Sequence, residues 1–185
     1  EIYTLSLHDA LPIFGRFGRG IEEVRALLRH GIAVEVIPGI TAGLAAACLF
    51  HIPLTERNRM TSVLFCTGHT VSYTTEQFVA LMALLREGSP MVVYMGLKNL
   101  EAIVRRLIEN GIAPSMPICA AARVSMPDQQ LVCSTLATIG RLVRQERLAT
   151  PAIFVIGEHS LPVGYYEAFC CQTGLCDCGD QCESF

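Results

Sequence analysis

Residues 90–111 read PMVVYMGLKNLEAIVRRLIENG, and this stretch decides the fold class. Met91 to Met95 is a short, continuous apolar run closed by Gly96, and Leu97 to Asn110 is a strong helix with Gly111 just beyond it. A continuous apolar run suits a strand covered on both faces, and a glycine after a helix supplies the left-handed residue that ends it. A strand that runs through a glycine turn into a helix is the unit of a layered α/β protein.

The same alternation continues in both directions. Towards the amino end, Glu76 to Arg86 reads as an amphipathic helix and Thr61 to Thr67 as a strand. Before them, Ala33 to Ile37 is a β-branched run expected to be a strand; Pro38-Gly39 breaks it, and Thr41 opens a small-residue helix, AGLAAACLF. Earlier still, IEEVRALLRHGI sets Ile21, Val24, Leu27 and Leu28 at helical spacing, with Gly31 at the C-cap position. Towards the carboxyl end, Pro117 to Arg123 and Gln130 to Cys133 are strands, Ala137 to Glu146 a helix and Ala152 to Ile156 a last apolar strand. Helices on both faces imply a sheet that is at least partly parallel. Only Pro127-Asp128 and a few neighbours separate Arg123 from the next strand, too little for a crossover helix, so one hairpin is expected.

Composition narrows the function classes. The 185 residues are 51% hydrophobic and 17% charged, well inside the globular range, and a chain of this length buries about two-thirds of its unfolded surface without staples. After residue 160 there are four acidic residues and no Lys or Arg, which leaves 14 basic against 13 acidic residues before that point. So even a balance argues against nucleic acid as a partner. The longest strongly apolar stretch, Ala42 to Phe50, falls short of the roughly 20 residues that span a bilayer, so no membrane partner is expected. EIYTLSLHDALPI at the start has no basic region leading into an apolar core, and Cys48, Cys66, Cys119 and Cys133 lie singly among apolar neighbours as buried small hydrophobes do. Both features predict a cytoplasmic protein.

In an open α/β sheet the ligand sits beyond the carboxyl ends of the strands, so the residues after each strand are the candidates. Pro38-Gly39-Ile40-Thr41-Ala42 pairs a turn with a helix start, whose free N–H groups and hydroxyl suit a carboxylate; the plain alternative is that Thr41 is an N-cap. Tyr94-Met95-Gly96 offers a close backbone approach and a thioether for a flat ring, against simple core filling. His69 is a neutral-pH acid or base or a surface histidine, and Arg19, Arg57, Arg59 and Arg123 hold carboxylates or are solvated charges. Lys98 is the one lysine and receives no role. There is no nucleophile elbow, phosphate loop, zinc-protease helix or dinucleotide fingerprint. Residue chemistry alone supports a small-molecule site at strand ends and assigns no acid, base or nucleophile.

Taken in order, FGRGIEE (Phe17–Glu23), VIPGITA (Val36–Ala42), IPLT (Ile52–Thr55), TGH (Thr67–His69), VYMG (Val93–Gly96) and PDQ (Pro127–Gln129) resemble the uroporphyrinogen-III C-methyltransferases, within the tetrapyrrole methylases. The resemblance runs from about Phe17 to Glu158. It implies an enzyme that uses S-adenosyl-L-methionine to methylate two ring carbons of a tetrapyrrole substrate, uroporphyrinogen III, giving precorrin-2 for sirohaem and cobalamin biosynthesis. It implies a fold of two α/β domains and a cytoplasmic homodimer. The family's GxGxGD loop and GGDP motif, which precede FGRG, are not in this sequence. The expected organisation is therefore a non-native leader at 1–13, a remnant of the N-terminal methylase domain at 14–38, the C-terminal methylase domain, a mixed sheet flanked by helices, at 39–160, and a Cys-rich tail at 161–185.

The family's donor-binding Thr-Ala pair falls on Thr41 and Ala42, and the methionine of its YMG string on Met95. A further donor contact, a glycine in the family, falls on Val124, with Ser125 in place of the neighbouring threonine; a contact through backbone atoms survives that change. LTHR in the family is LTER here, with Glu56 for histidine. No catalytic residue carries over, because the proton-transfer candidates of the family lie in the half not represented.

Cys170, Cys171, Cys176, Cys178 and Cys182 crowd the tail. Clustered thiolates hold zinc, copper or iron–sulfur groups, but the paired CxxC spacing of a zinc site is missing, so no metal site is assigned. Two other readings stay open: a methylase acting on a later corrin intermediate, and a non-catalytic metal-binding or assembly module.

Overall fold

The structure, a computed structural model, describes residues 20–68 and 74–165. The proposed leader, Arg19, His69 and the Cys-rich tail from residue 166 onward lie outside the described residues. The elements in chain order are α1 (Gly20–Arg29), α2 (Ala42–Leu49), β1 (Leu64–Thr67), α3 (Thr75–Arg86), β2 (Met91–Tyr94), α4 (Leu100–Glu109), β3 (Pro117–Ala122), β4 (Gln130–Thr135), α5 (Ile139–Gln145) and β5 (Ala152–Ile156). The expected strand, turn and helix from Met91 to Gly111 are present: β2 passes through a 3-10 turn at Leu97–Asn99 into α4, and Gly111 takes φ +84° to end it.

The five strands form one mixed sheet in the order β1-β2-β5-β3-β4. β1 and β2 are parallel, β5 runs antiparallel to both β2 and β3, and β3 and β4 make the expected hairpin. Because β2 and β3 both oppose β5, β1, β2 and β3 point the same way and end at the same edge. Strand geometry sends alternate residues to opposite faces. Met91 and Val93 join Phe78, Met82 and Leu85 of α3, Leu100, Ile103 and Leu107 of α4, and Ile139 and Val143 of α5 in one buried cluster. Val92 and Tyr94 face the other way, into a smaller cluster with Ala46 of α2, Ile52, Cys119, Ala121, Ile153, Val155 and Leu161. The sheet is thus covered on both faces, as its apolar strands require.

Two expectations fail. Ala33 to Ile37 forms no strand, and Val36 and Ile37 are exposed. β-branched residues favour extended backbone, but a strand persists only where a neighbour takes its hydrogen bonds, and none of the five described strands pairs with this segment. Cys48 is exposed rather than buried. It lies in the last turn of α2, away from the line of Gly43 and Ala46 that meets the sheet.

Candidate functional site

The carboxyl edge of the sheet draws together three separate stretches. At its centre is Tyr94, the last residue of β2 and only 3% exposed. A buried phenol needs a polar partner. The Tyr94 Oη lies 2.8 Å from the Thr41 Oγ1, and the Gly43 N–H donates to the same Oη at 3.0 Å. Thr41 is therefore the N-cap of α2 by position only, since its side chain makes no capping bond. The phenol of β2 serves that end of the helix instead, satisfying the Gly43 amide, one of the donors that every helix start leaves free. The contact is close enough to require glycine. A Cβ at position 43 would sit 2.4 Å from the Tyr94 Oη and 2.8 Å from the Val92 Cγ1.

β1 is fastened to the same point. The Gly68 N–H donates to the Tyr94 carbonyl, and the Asn99 side-chain amide donates to the Gly68 carbonyl at 3.1 Å. A Cβ on Gly68 would lie 2.3 Å from the Met95 carbonyl oxygen, so only glycine fits there. Met95 itself turns out of the strand at φ +55° and is 40% exposed, although it directly follows a fully buried run. A non-glycine residue in the left-handed region is held against its own preference, and such residues gather at ligand sites. Cys66, near the end of β1, points into the larger core cluster; burial pushes its thiol up to about 11, which leaves it neutral.

The end of β3 is held in a different way. Arg123 (φ +50°) and Ser125 (φ +68°) both adopt left-handed backbone, with Val124 between them. The Arg123 Nε pairs with the Asp128 carboxylate at 2.6 Å, and the Ser125 N–H donates to the Gln129 Oε1 at 3.1 Å. That guanidinium holds the Asp128 carboxyl below its ordinary range. The Arg123 N–H also donates to the Pro151 carbonyl at 2.9 Å. The PDQ string is thus a clamp that fixes the backbone on either side of Val124, and Val124 and Ala42 both pack against the cluster that contains Tyr94.

Of the sequence-derived candidates, Thr41 bonds to the Tyr94 hydroxyl, Ala42 follows it in the first turn of α2, Met95 is the exposed residue that follows Tyr94 in the chain, and Val124 lies on the same edge just past the end of β3. Arg57, Arg59 and Lys98 are exposed, with Arg59 paired to Glu56 at 3.7 Å, and Arg123 is engaged by Asp128. Sequence reasoning missed the Tyr94 hydroxyl, the need for glycine at 43 and 68, and the part played by Asn99. The available signal was a lone phenol in the otherwise apolar strand MVVY.

The sequence matches the model of the family Tetrapyrrole (Corrin/Porphyrin) Methylases over residues 14–140. The chain belongs to the tetrapyrrole methylases. This methylase chain is 42% identical over 142 residues to a siroheme synthase of Psychrobacter sp. (strain PRwf-1), a match that covers 77% of this chain and 29% of that protein. It is 40% identical over 141 residues to a uroporphyrinogen-III C-methyltransferase of Synechocystis sp., covering 76% of this chain and 54% of that one. A solved structure of uroporphyrin-III C-methyl transferase from Thermus thermophilus, complexed with S-adenyl homocysteine, superposes with a TM-score of 0.62 at 32% identity, covering 78% of this chain and 59% of that chain. The methylase chain thus spans between about three-tenths and three-fifths of the length of these relatives. Among its described residues no helix is long and apolar enough to cross a membrane, and no group of three or more His, Cys, Asp or Glu is placed to hold a metal ion.

Proposed function

We propose that this chain forms the carboxyl-terminal part of an S-adenosyl-L-methionine-dependent C-methyltransferase that converts uroporphyrinogen III to precorrin-2, on the route to sirohaem and cobalamin. In this reading residues 39–160 are the C-terminal methylase domain and 14–38 belong to the N-terminal one, and the complete enzyme works as a cytoplasmic homodimer on a tetrapyrrole substrate. One observation carries the proposal: the start of α2 and the end of β2, far apart in sequence, are locked together at the Tyr94 hydroxyl with Met95 exposed beside them.

The residues present fit a sulfonium nucleoside. Nothing lies within 4 Å of where a Cβ on Gly39 would sit, and Ile40 is exposed, so the bend before α2 is open to approach. The first turn of α2 offers the positive end of its backbone dipoles to a carboxylate. Met95 offers a polarisable thioether to a ring. When bound, the donor supplies an activated methyl group, and its transfer to an electron-rich carbon is an in-line displacement in which alignment supplies much of the rate. The work of these residues is therefore to hold and orient. Tyr94 and Thr41 fix the helix start, the left-handed turn at Met95 presents its side chain, and the Asp128–Gln129 clamp sets the backbone at Val124.

Thr41→Val and Met95→Ala, made in this chain and at the equivalent positions of the Synechocystis relative, should each weaken S-adenosylhomocysteine binding about tenfold by calorimetry, the loss of roughly one hydrogen bond or ring contact. Unchanged affinity in the relative would remove both residues from the site. Turnover of uroporphyrinogen III against later corrin intermediates by the complete enzyme would decide the substrate.

A further inference from the structure

Cys119 of β3 and Cys133 of β4 stand directly opposite one another in the antiparallel hairpin, with their Sγ atoms 2.8 Å apart. Opposed residues of an antiparallel pair hold their Cα atoms about 4.5–5.5 Å apart, inside the span that a disulfide bridges. Both thiols are free, so the backbone already has the spacing of a cross-link that has not formed. We propose that Cys119 and Cys133 are a reversible dithiol modification site, oxidised to a disulfide by low-molecular-weight disulfides such as glutathione disulfide.

The two sulfurs have different access. Cys119 is fully buried, and burial together with the neighbouring thiol pushes its pKa far up; Cys133 is half-buried and meets solvent first. Exchange therefore begins at Cys133. Its thiolate attacks one sulfur of the small disulfide and expels one thiolate, forming a mixed disulfide. The Cys119 sulfur then attacks the Cys133 sulfur and expels the second thiolate, which takes up the Cys119 proton. The protein dithiol loses two electrons and two protons, and the small disulfide is reduced to two thiols.

The position gives the bond a structural effect. Among the described residues β4 is an edge strand, hydrogen-bonded to β3 alone, and such strands are the first to open. The hairpin loop that the bond would close carries Val124 and its clamp. Oxidation would therefore staple the outermost strand to the one that ends at the ligand edge. This effect does not depend on which substrate the enzyme takes.

The intact chain, with all nine of its cysteines, is incubated with glutathione disulfide, the remaining thiols are blocked with N-ethylmaleimide, and the denatured protein is digested with trypsin. Cleavage after Arg106, Arg123 and Arg141 yields peptides 107–123 and 124–141, each with one cysteine. The expected product is these two peptides joined and separable by dithiothreitol, together with slower hydrogen exchange in β4 and a rise in Tm of roughly 5–10 °C that Cys133→Ala abolishes. Cys119→Ser should stop the reaction at a Cys133–glutathione mixed disulfide. Recovery of 107–123 and 124–141 only as separate peptides, blocked, glutathionylated or joined to the tail cysteines, would overturn the proposal.

Discussion

Tyr94→Phe removes one oxygen atom and should loosen the candidate site without disturbing the sheet. That oxygen shares a hydrogen bond with the Thr41 hydroxyl and accepts another from the Gly43 amide, and both partners are buried. A buried group left without its partner costs about 1–3 kcal/mol. Thr41 recovers part of this by turning its hydroxyl onto the freed amides of its own helix, as an ordinary N-cap does, for about 1 kcal/mol. Counted over the two orphaned partners, the net loss is then about 1–5 kcal/mol, which for a chain of this size lowers Tm by roughly 3–15 °C. Circular dichroism melts of the wild type, Tyr94→Phe, Thr41→Val and the double variant form a closed cycle. Groups in direct contact couple by about 0.5–3 kcal/mol. A Tyr94→Phe melt within a degree of wild type, or strictly additive single variants, would refute the claim that this phenol ties α2 to β2.

Two further outcomes follow from the same geometry. Gly43→Ala, which in an open helix would stabilise by about 1 kcal/mol, should instead destabilise by about 1–3 kcal/mol in urea melts, because its Cβ meets the Tyr94 Oη and the Val92 Cγ1 inside contact distance. The Asp128 carboxyl is held below its ordinary value of 3.8 by Arg123, so its contribution to stability is fully present above 3.8 and is lost as pH falls through the lower folded value. Melts of wild type and Asp128→Asn should therefore differ at neutral pH and low salt and converge in acid, whereas a gap that persists or widens in acid would mean that the carboxylate is not what holds Arg123.

Local chemistry made most of the fold legible. The stretch from Met91 to Gly111 announces a strand, a turn and a helix through apolar continuity and two well-placed glycines, and the structure places each as expected, β2 and α4 included. The short Pro127-Asp128 connection announces the hairpin for a reason equally local, that a crossover needs more chain. Ala33 to Ile37 fails because a strand is a relation between two segments, and β-branching describes only one of them. Cys48 fails because burial depends on which side of α2 meets the sheet, and AGLAAACL is apolar nearly all round.

The candidate site divides along the same line. PGIT, YMG and PDQ can be read as strings, and the positions of YMG and PDQ beyond strand ends follow from the order of the elements, whereas PGIT follows no strand among the described residues. Their joint geometry cannot be read that way. Thr41 looks like an N-cap in sequence because serine and threonine at a helix start usually are; it is not one here because a phenol 53 residues along the chain reaches its hydroxyl first. PDQ looks like a turn, and becomes a clamp only when Asp128 and Gln129 find Arg123 and Ser125. By itself the sequence determined the alternation of elements, the apolar faces and the resemblance that names the family. The tertiary structure alone decided which polar atoms meet at the sheet edge, because hydrogen-bond partners distant along the chain are chosen by strand order and packing rather than by the residues beside them.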